Sequence, residues 1–241
     1  MSANRPVPYS SENHARQALI ETCLQFASLG LNQGKSGNAS LRWHRSAEDG
    51  MLVTPSGLAY ERMQIDDLVW VPLEQPAPHG HELVLAPPPR FDGPRVPSSE
   101  WRMHLDIYRA RREAGAVVHV HSSYATTLAC LPAIQAAGIP AFHYMIAVAG
   151  GHDIRCARYA TFGTQALSDE ALAALTDRRA CLLANHGQIA LGADLPQALS
   201  IALEVETLSR QYLQALQVGS PVVLSDEEMR RVLDAFAGYG R

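Results

Sequence analysis

The sequence holds a single lysine, Lys35, among its 20 lysine and arginine residues. An enzyme that forms a Schiff base with its substrate needs a lysine in a desolvated pocket. Lys35 lies instead in a polar, glycine-rich stretch, LNQGKSGNAS (31–40). We therefore do not expect Schiff-base chemistry.

Cysteine is also scarce and scattered. Each of the four cysteines has apolar neighbours, and no spacing suggests a metal cluster or a disulfide framework. Cys23, Cys130, Cys156 and Cys181 are therefore predicted to be buried free thiols in a reducing compartment.

Membrane, secretory and nucleic-acid signals are missing. No apolar run is long enough to span a bilayer, and the first residues, MSANRPVPYSSENH, lack the apolar core of a secretory signal. A net charge of -4 gives no electrostatic reason to bind nucleic acid. We expect a cytoplasmic protein with no membrane or nucleic-acid partner.

The composition, 47% hydrophobic and 18% charged, suits one large globular domain or two small ones. No internal repeat or composition shift divides the chain. We predict one domain over residues 1–241.

Hydrophobic periodicity and turn residues predict the elements of the first half. They are a helix over 12–29 stopped by Gly30, strands over 40–44 and 51–55 around a turn at Asp49-Gly50, a strand over 67–73, and a long surface loop over 74–97.

The second half mixes helices and strands without strict alternation. Its first part predicts a helix from Ser98-Ser99-Glu100 to about residue 114, a strand to 121 and a helix over 123–131. Residues 139–156 are predicted to form two strands joined by a glycine turn, and a helix follows Ser168. The last part predicts two strands over 180–192 around a tight turn at 185–187, a helix from Asp194 to Gly219, and a final helix that begins with a capping box at 225–228. This order favours an α/β fold with a largely antiparallel sheet covered by helices.

His119 and His121 stand two residues apart at the end of an apolar strand, AGAVVHVH (114–121). Alternate side chains of a strand share a face, so the two imidazoles point together. His186, in the tight turn between two apolar strands, is the most plausible third ligand. Three imidazoles with an open position form a catalytic zinc site; the alternative is three ordinary histidines in a chain with 10.

Other histidines have simpler interpretations. His79 and His81 share the same spacing but lie in the proline-rich loop, where no strand aligns their rings, so we expect them at the surface. We expect packing or hydrogen-bonding roles for His104, His143 and His152.

Glu100 is the best candidate for an acid–base group, because it follows two serines at a predicted helix start. Unpaired N–H groups and the helix dipole favour anions there, so Ser98 and Ser99 can bind a phosphate. Two polar loops, Gly37-Asn38 and 54–57, offer further N–H and hydroxyl donors. The alternative for Glu100 is a plain helix cap.

Two tyrosines complete the candidates. Tyr144 lies in an otherwise apolar stretch, so its hydroxyl needs a partner or a role. From the local sequence alone, Tyr239 is expected to be an end residue in a flexible Gly-Tyr-Gly tail.

These residues lie within longer motifs that resemble the class II aldolase/adducin family, most closely its fuculose-phosphate aldolase branch. The resemblance runs from about residue 14 to residue 240. Its motifs are LGLNQGKSGNAS (29–40), TPSG (54–57), VPSSEWRMH (96–104), AVVHVH (116–121), IPAFHYMIAVAGG (139–151), YATFGT (159–164), LLANHG (182–187), ALEVE (202–206) and LSDEEMRRVLDAFAGYG (224–240).

The resemblance implies a single-domain α/β fold, a homotetramer and one zinc ion per subunit. The implied site residues are the zinc ligands His119, His121 and His186; Glu100 as catalytic carboxylate and additional metal contact; Gly37, Asn38, Ser56, Gly57, Ser98 and Ser99 around the phosphate; Tyr144 near the aldehyde oxygen; and Tyr239 reaching a neighbouring subunit's site.

The implied activity is cleavage of a (deoxy)ketose 1-phosphate, such as L-fuculose 1-phosphate. The products are dihydroxyacetone phosphate and a lactaldehyde-like aldehyde, through a metal-stabilised enediolate. Alternatives on the same fold are a sugar-phosphate 4-epimerase, a methylthioribulose-phosphate dehydratase or aldolase, and a sugar-acid phosphate decarboxylase. A non-catalytic, adducin-like module is disfavoured because the three histidines and Glu100 are retained.

The sequence departs from the family pattern in three places. Residues 1–10 are expected to be an N-terminal extension, and residues 74–97 a longer, proline-rich surface insert. Lys35 stands where a small residue is usual; if it points inward, it adds a cation for the phosphate.

Overall fold

The computed structural model describes residues 9–46, 48–75 and 86–238. The strands are β1 (Asn38–Arg45), β2 (Glu48–Val53), β3 (Val69–Pro72), β4 (Ala116–Val120), β5 (Ile139–Pro140), β6 (Asp153–Ile154), β7 (Cys156–Ala157), β8 (Ala180–Leu183) and β9 (Gly187–Gly192). The helices are α1 (Glu12–Ser28), α2 (Trp101–Ala110), α3 (Ser123–Ala129), α4 (Pro132–Ala137), α5 (Gln165–Ala174), α6 (Leu195–Val218) and α7 (Asp226–Gly238).

Seven strands form one sheet in the order β3-β2-β1-β4-β9-β8-β7, and β5 pairs with β6 separately. Among the described residues of the large sheet, only β7 and β8 run parallel, and the other neighbouring strands are antiparallel. The predicted α/β fold with a largely antiparallel sheet is therefore confirmed.

Strand β4 lies at the centre of this sheet and joins segments that are distant in sequence. Asn38 of β1 is opposite His119, and Gln188 of β9 is opposite Val120. The ends of three strands thus meet at one rim, where the predicted histidines lie.

The sheet separates two apolar cores. Val118 and Val120 pack in the core that contains α1, α3 and α6, whereas Val117 packs in the core that contains α2 and α5. Since side chains alternate along a strand, His119 projects to the α2 side.

Several predicted elements are confirmed. Helix α1 ends two residues before Gly30, and β8 and β9 flank the predicted turn. Asp194 caps α6 by accepting from the amide of Gln197 at 2.9 Å, and Ser225 accepts from the amide of Glu228 at the start of α7. No helix within the described ranges is long and apolar enough to cross a membrane.

The turn predicted at Asp49-Gly50 is wrong. His44 is opposite Asp49 and Trp43 is opposite Gly50, so both predicted turn residues lie inside β2. The chain reverses closer to Ser46, which has a φ of 49°. Gly50 lies against the ring of Trp70, and a Cβ atom at this position would lie 2.5 Å from the ring. Close packing, rather than a turn, therefore requires glycine here.

Two predicted helix boundaries are also wrong. Helix α2 is shorter than the predicted 98–114. Helix α5 begins before Ser168, because the Thr164 side chain caps it by accepting from the amide of Leu167 at 3.2 Å. Ser168 is buried inside α5 and donates to Asp106 Oδ2 at 2.8 Å.

The stretch 123–156 is more broken than predicted. The helix predicted over 123–131 ends at Ala129, and α4 follows with Pro132 at its start. Strands β5 and β6 form the predicted pair, but a 3-10 helix (Tyr144–Ala149) lies between them and ends at Gly150, whose φ is 96°.

The cysteines are free, as predicted, but they are not all buried. Cys23 and Cys181 are buried, Cys156 is half-buried, and Cys130 is exposed. Burial was therefore wrongly predicted for Cys130, which follows α3 directly at the surface.

Some predictions fall outside the described residues: most of the 1–10 extension, His79, His81 and Tyr239. In the predicted loop over 74–97, residues 86–97 contain no helix or strand. They are tied to the sheet by isolated bridges, Pro55 with Pro97 and Trp70 with Asp92.

Candidate active site

A cleft of about 380 Å³ opens at the rim where β1 and β4 meet α2. Its lining includes every residue predicted for the phosphate, namely Gly37, Asn38, Ser56, Gly57, Ser98 and Ser99. Glu100, His121 and His186 line it as well. His119 lies beneath them, fully buried.

The three histidines form a compact cluster. His119 and His121 rings are 4.9 Å apart, and the His186 ring lies 4.8 Å from each. The Nε2 atoms of His119 and His121 are 3.0 Å apart. One ligand atom from each histidine and one from Glu100 all lie within 4.8 Å of one another, which fits a single metal ion.

A backbone contact orients the His119 ring for metal binding. Its Nδ1 lies 2.9 Å from the carbonyl oxygen of Gln188. A carbonyl only accepts, so Nδ1 carries a proton, and Nε2 is the ring nitrogen left to bind a metal ion.

Glu100 joins the cluster from the residue before α2. Its Oε2 accepts from Asn38 Nδ2 at 2.9 Å and lies 3.1 Å from His119 Nε2. Its Oε1 lies 3.4 Å from His186 Nε2 but, among the described residues, has no hydrogen-bond partner despite being buried. A buried carboxylate oxygen without a partner costs free energy, so this atom is suited to a cation or a substrate proton.

The ionisable groups of the site shift one another's pKa values. Burial opposes ionisation of Glu100, but the adjacent His119 outweighs it and holds the pKa of this carboxyl well below its usual range. Glu100 in turn outweighs burial at His119 and raises the pKa of that imidazole. Burial, reinforced by His119, lowers the pKa of His121 to about 3 and that of His186 to about 4. Both imidazoles are thus neutral at pH 7, the state that binds metals.

A backbone hydrogen bond and a close strand contact stabilise the turn that carries His186. Asn185 has a φ of 54°, and its amide donates to the carbonyl of Ala129 at 3.1 Å. Gly187 allows β9 to approach β4 closely, since a Cβ atom there would lie 2.5 Å from Val120 O and 3.1 Å from His121 Cδ2.

Gly187→Ala should therefore weaken metal binding. The added methyl group must push the end of β4, and His121 with it, away from His186. We expect metal affinity to fall roughly 10- to 100-fold, the usual cost of disturbing groups that orient ligands. Competition with a chromophoric chelator measures it. Gly219→Ala, where a Cβ atom meets nothing within 4 Å, is the matched control, and equal affinities for the two variants would contradict the prediction.

Three loops line the end of the cleft beside Glu100. Gly37 has a φ of 85°, and a Cβ atom there would lie 2.7 Å from His119 O, so only glycine fits. Ser56 and Ser98 are tied together, because the Ser56 amide donates to Val96 O and the Ser98 amide to Thr54 O, both at 2.9 Å. This end offers hydroxyl and backbone N–H groups, the donors that hold a phosphate.

Lys35 points into this end of the cleft. Its Nζ donates to the carbonyl of Gly57 at 3.2 Å, bridging two of the loops. Within the described ranges, no arginine lines the cleft, so Lys35 supplies its permanent positive charge.

Two aromatic side chains also line the cleft. Tyr159 and Phe162 line the cleft and are largely exposed. Sequence reasoning did not single them out as site residues, although YATFGT stood among the motifs.

Buried polar residues that support the site were also missed. Tyr60 OH lies 2.9 Å from the carbonyls of Ser36 and Gly37, and Asn32 Oδ1 accepts from the His121 amide at 3.3 Å. The polar stretch 31–40 was the available signal, but only the sheet pairing places Asn32 beside β4.

Tyr144 does not lie in the cleft of its own chain. Its side chain is 51% exposed, stacks on His143 and is absent from the lining.

The other described histidines with predicted packing or hydrogen-bonding roles lie outside the cluster. His143 accepts from the amide of Met145, His152 is exposed and His104 is buried and hydrogen-bonded. Hydrogen-bonding roles are thus confirmed for His104 and His143.

The sequence matches the family described as "Class II Aldolase and Adducin N-terminal domain" over residues 17–213. The chain belongs to this family. The 5-methylthioribulose-1-phosphate/5-deoxyribulose-1-phosphate aldolase of Rhodospirillum rubrum is 48% identical over 225 residues, 93% of this chain and 92% of that protein. The L-fuculose phosphate aldolase of Escherichia coli K12 is 43% identical over 229 residues, 95% of this chain and 96% of that protein.

A solved L-fuculose 1-phosphate aldolase superposes with a TM-score of 0.80 at 39% identity, covering 92% of this chain and 95% of the other. Class II aldolases depend on a metal ion, and the residues of this site fit one. Three imidazoles are clustered, two of them, His121 and His186, are neutral, and a buried carboxylate oxygen of Glu100 has no partner among the described residues. The protein is accordingly a metal-dependent aldolase of this family, a carbon–carbon lyase.

Proposed function

We propose that this class II aldolase binds zinc and cleaves a deoxyketose 1-phosphate, such as L-fuculose 1-phosphate, to dihydroxyacetone phosphate and an aldehyde. The observation that carries the proposal is the position of Glu100. It is buried against three histidines and lies beside loops rich in hydrogen-bond donors for a phosphate. His119, His121 and His186 would hold the ion, with Glu100 as an additional contact. Imidazole ligands suit zinc.

The chain's own groups bind and orient the substrate. The hydroxyls of Ser56, Ser98 and Ser99 and the amides around Gly37 and Gly57 are proposed to hold its phosphate. Fixing one end of the substrate places the C3–C4 bond beside Glu100, which lowers the entropic cost of the reaction. When bound, zinc supplies Lewis-acid stabilisation of the negative charge that carbon–carbon cleavage leaves on the ketose fragment.

Glu100 moves the proton at C3. In the condensation direction its ionised carboxylate takes a proton from C3 of dihydroxyacetone phosphate, and in cleavage it returns that proton. Oε1 is proposed to perform the transfer, because Oε2 already accepts from Asn38 and Oε1 has no partner within the described residues.

The end of the substrate away from the phosphate is proposed to contact Tyr159 and Phe162. Tyr159 and Phe162 offer apolar surface to a terminal methyl or methylthio group, and the relatives named for fuculose, deoxyribulose and methylthioribulose phosphates all act on sugars with such an end. A 5-deoxy- or 5-methylthio-ribulose 1-phosphate is therefore the second candidate substrate, favoured by the 48% identity of its aldolase.

A substrate panel tests the function. Purified protein is offered L-fuculose 1-phosphate, 5-deoxyribulose 1-phosphate and 5-methylthioribulose 1-phosphate, and dihydroxyacetone phosphate is measured through NADH oxidation by glycerol-3-phosphate dehydrogenase. We expect release from at least one of them. An epimerase, a dehydratase or a decarboxylase would release none, and that result would overturn the proposal.

Lys35→Met should raise the KM for the preferred ketose 1-phosphate roughly ten-fold and leave kcat nearly unchanged. A charge-assisted hydrogen bond to the phosphate contributes about 1.5–3 kcal/mol in a protein, and a uniform binding contact affects KM alone. Steady-state kinetics check this. Lys35→Arg keeps the charge and should stay near the wild-type KM; an unchanged KM for Lys35→Met would contradict the prediction.

We also propose that the protein is a homotetramer. Tyr144 is exposed and outside its own cleft, so its proposed role at the aldehyde oxygen needs a neighbouring copy. Tyr239, outside the described residues, is proposed to reach a neighbouring site as well. Light scattering coupled to gel filtration should give four times the chain mass of 26.2 kDa, and a monomer would contradict both tyrosine assignments.

A further inference from the structure

A line of buried polar side chains leads from Glu100 into the interior. Asn38 Nδ2 is 2.9 Å from Glu100 Oε2, and Asn38 Oδ1 is 2.5 Å from His104 Nε2. His104 Nδ1 is 2.7 Å from Ser40 Oγ, which is 2.8 Å from Tyr108 OH. All five residues are buried, with His104 and Ser40 at 0% exposure.

The line depends on matched spacing of a strand and a helix. Asn38 and Ser40 stand two residues apart on one face of β1, about 6.8 Å along the strand. Glu100, His104 and Tyr108 stand four residues apart on one face of α2 and the residue before it, about 6 Å per step. Because the two spacings are similar, side chains from the strand and from the helix alternate along the line, in the order Glu100, Asn38, His104, Ser40 and Tyr108.

The charge of Glu100 fixes the direction of every hydrogen bond. An ionised carboxylate only accepts, so Asn38 turns its NH₂ group toward Glu100 and its oxygen toward His104. His104 must then carry its proton on Nε2, which leaves Nδ1 as an acceptor for the Ser40 hydroxyl. Ser40 in turn accepts from Tyr108.

We infer that His104 is a positioning residue that acts through Asn38 on Glu100: it fixes Oε2 and leaves Oε1 free to exchange the substrate proton. This inference rests on the proposed aldolase function. It also limits what Asn38 can contribute at the phosphate, because one of its side-chain N–H groups already donates to Glu100 and its side-chain oxygen accepts from His104. Asn38 is left with its second side-chain N–H for the cleft.

His104→Leu tests the inference, because it removes the donor to Asn38 and keeps an apolar volume. We expect kcat to fall roughly 10- to 100-fold, with the KM and the bound metal unchanged. His104→Gln places an N–H near the lost Nε2 and should recover most of kcat. If His104 served packing alone, both variants would lower thermal stability while the folded enzyme kept its kcat, and the inference would be overturned.

A double-variant cycle separates action through Glu100 from other effects. In a Glu100→Gln background, His104→Leu should cause no further loss in kcat, because the group that it positions is gone. Losses that multiply would overturn the inference. Should His104→Leu fail to fold, Ser40→Ala, which removes the donor to Nδ1, should still lower kcat with an unchanged KM; a wild-type kcat would overturn it.

Nitrogen-15 NMR of the wild-type protein provides a readout independent of activity. The His104 ring should show the neutral Nε2–H tautomer, and the opposite tautomer would overturn the inference. If the wild-type enzyme cleaves no ketose phosphate, the proposed function fails while the tautomer result stands. If it cleaves one and His104→Leu keeps its kcat, only the positioning role fails.

Discussion

Glu100→Gln should lower kcat by about 10²- to 10⁴-fold, the range that a positioned general acid–base group contributes. The amide keeps the size of the side chain, and its oxygen can still accept from Asn38 Nδ2, which lies 2.9 Å from the carboxylate. What the variant loses is the ability to hold or release a proton at the atom beside the substrate. The fold and the phosphate contacts are expected to remain, so KM should change little.

Exchange of the C3 hydrogen measures this step directly. Wild-type enzyme in D₂O should exchange one C3 hydrogen of dihydroxyacetone phosphate, followed by proton NMR, whereas Glu100→Gln should not. Glu113→Gln is the control, because Glu113 is an exposed glutamate paired with Arg111. Exchange at the wild-type rate in Glu100→Gln would show that another group moves this proton.

The histidine cluster was the most predictable part of the site, for reasons of local geometry. His119 and His121 share a face because a strand repeats every two residues, and His186 lies in a tight turn flanked by two recognisable apolar strands. These features depend on short-range pattern alone. His119, His121 and His186 consequently lie together as the pattern predicted.

The groups behind the cluster were not predictable in this way. Asn38 bonds to both His104 and Glu100 only because the face of β1 that carries Asn38 lies against α2. That juxtaposition is a tertiary contact, and no pattern within 31–40 or 96–104 encodes it. For His104 the sequence predicted packing or hydrogen bonding, without naming a partner.

The wrong predictions have a common physical origin. Asp49-Gly50 has strong turn propensity, yet Gly50 is needed where the Trp70 ring covers β2. Ser168 resembles a helix start, yet its hydroxyl is satisfied by Asp106 from α2. In each case a tertiary contact, invisible in the local sequence, determined the position of the element.

His121→Ala and His186→Ala should each remove the bound metal and reduce activity to about 1% of wild type or less. Two imidazoles and a carboxylate remain in either variant, but the loss of one ligand opens the cluster to water and lowers metal affinity steeply. A metal that binds the folded state at 100 times its Kd stabilises it by about 2.7 kcal/mol. We therefore expect added zinc to raise the Tm of wild-type apoprotein by roughly 5–10 °C, and that of either variant hardly at all.

Metal analysis of protein purified without chelator is the primary measurement, with thermal unfolding as the second. His152→Ala is the matched control, because His152 is exposed and not part of the cluster. It should keep one equivalent of zinc and full activity. A full metal content in His186→Ala would mean that the turn histidine is not a ligand, and a wild-type protein without stoichiometric divalent metal would contradict the metal site altogether.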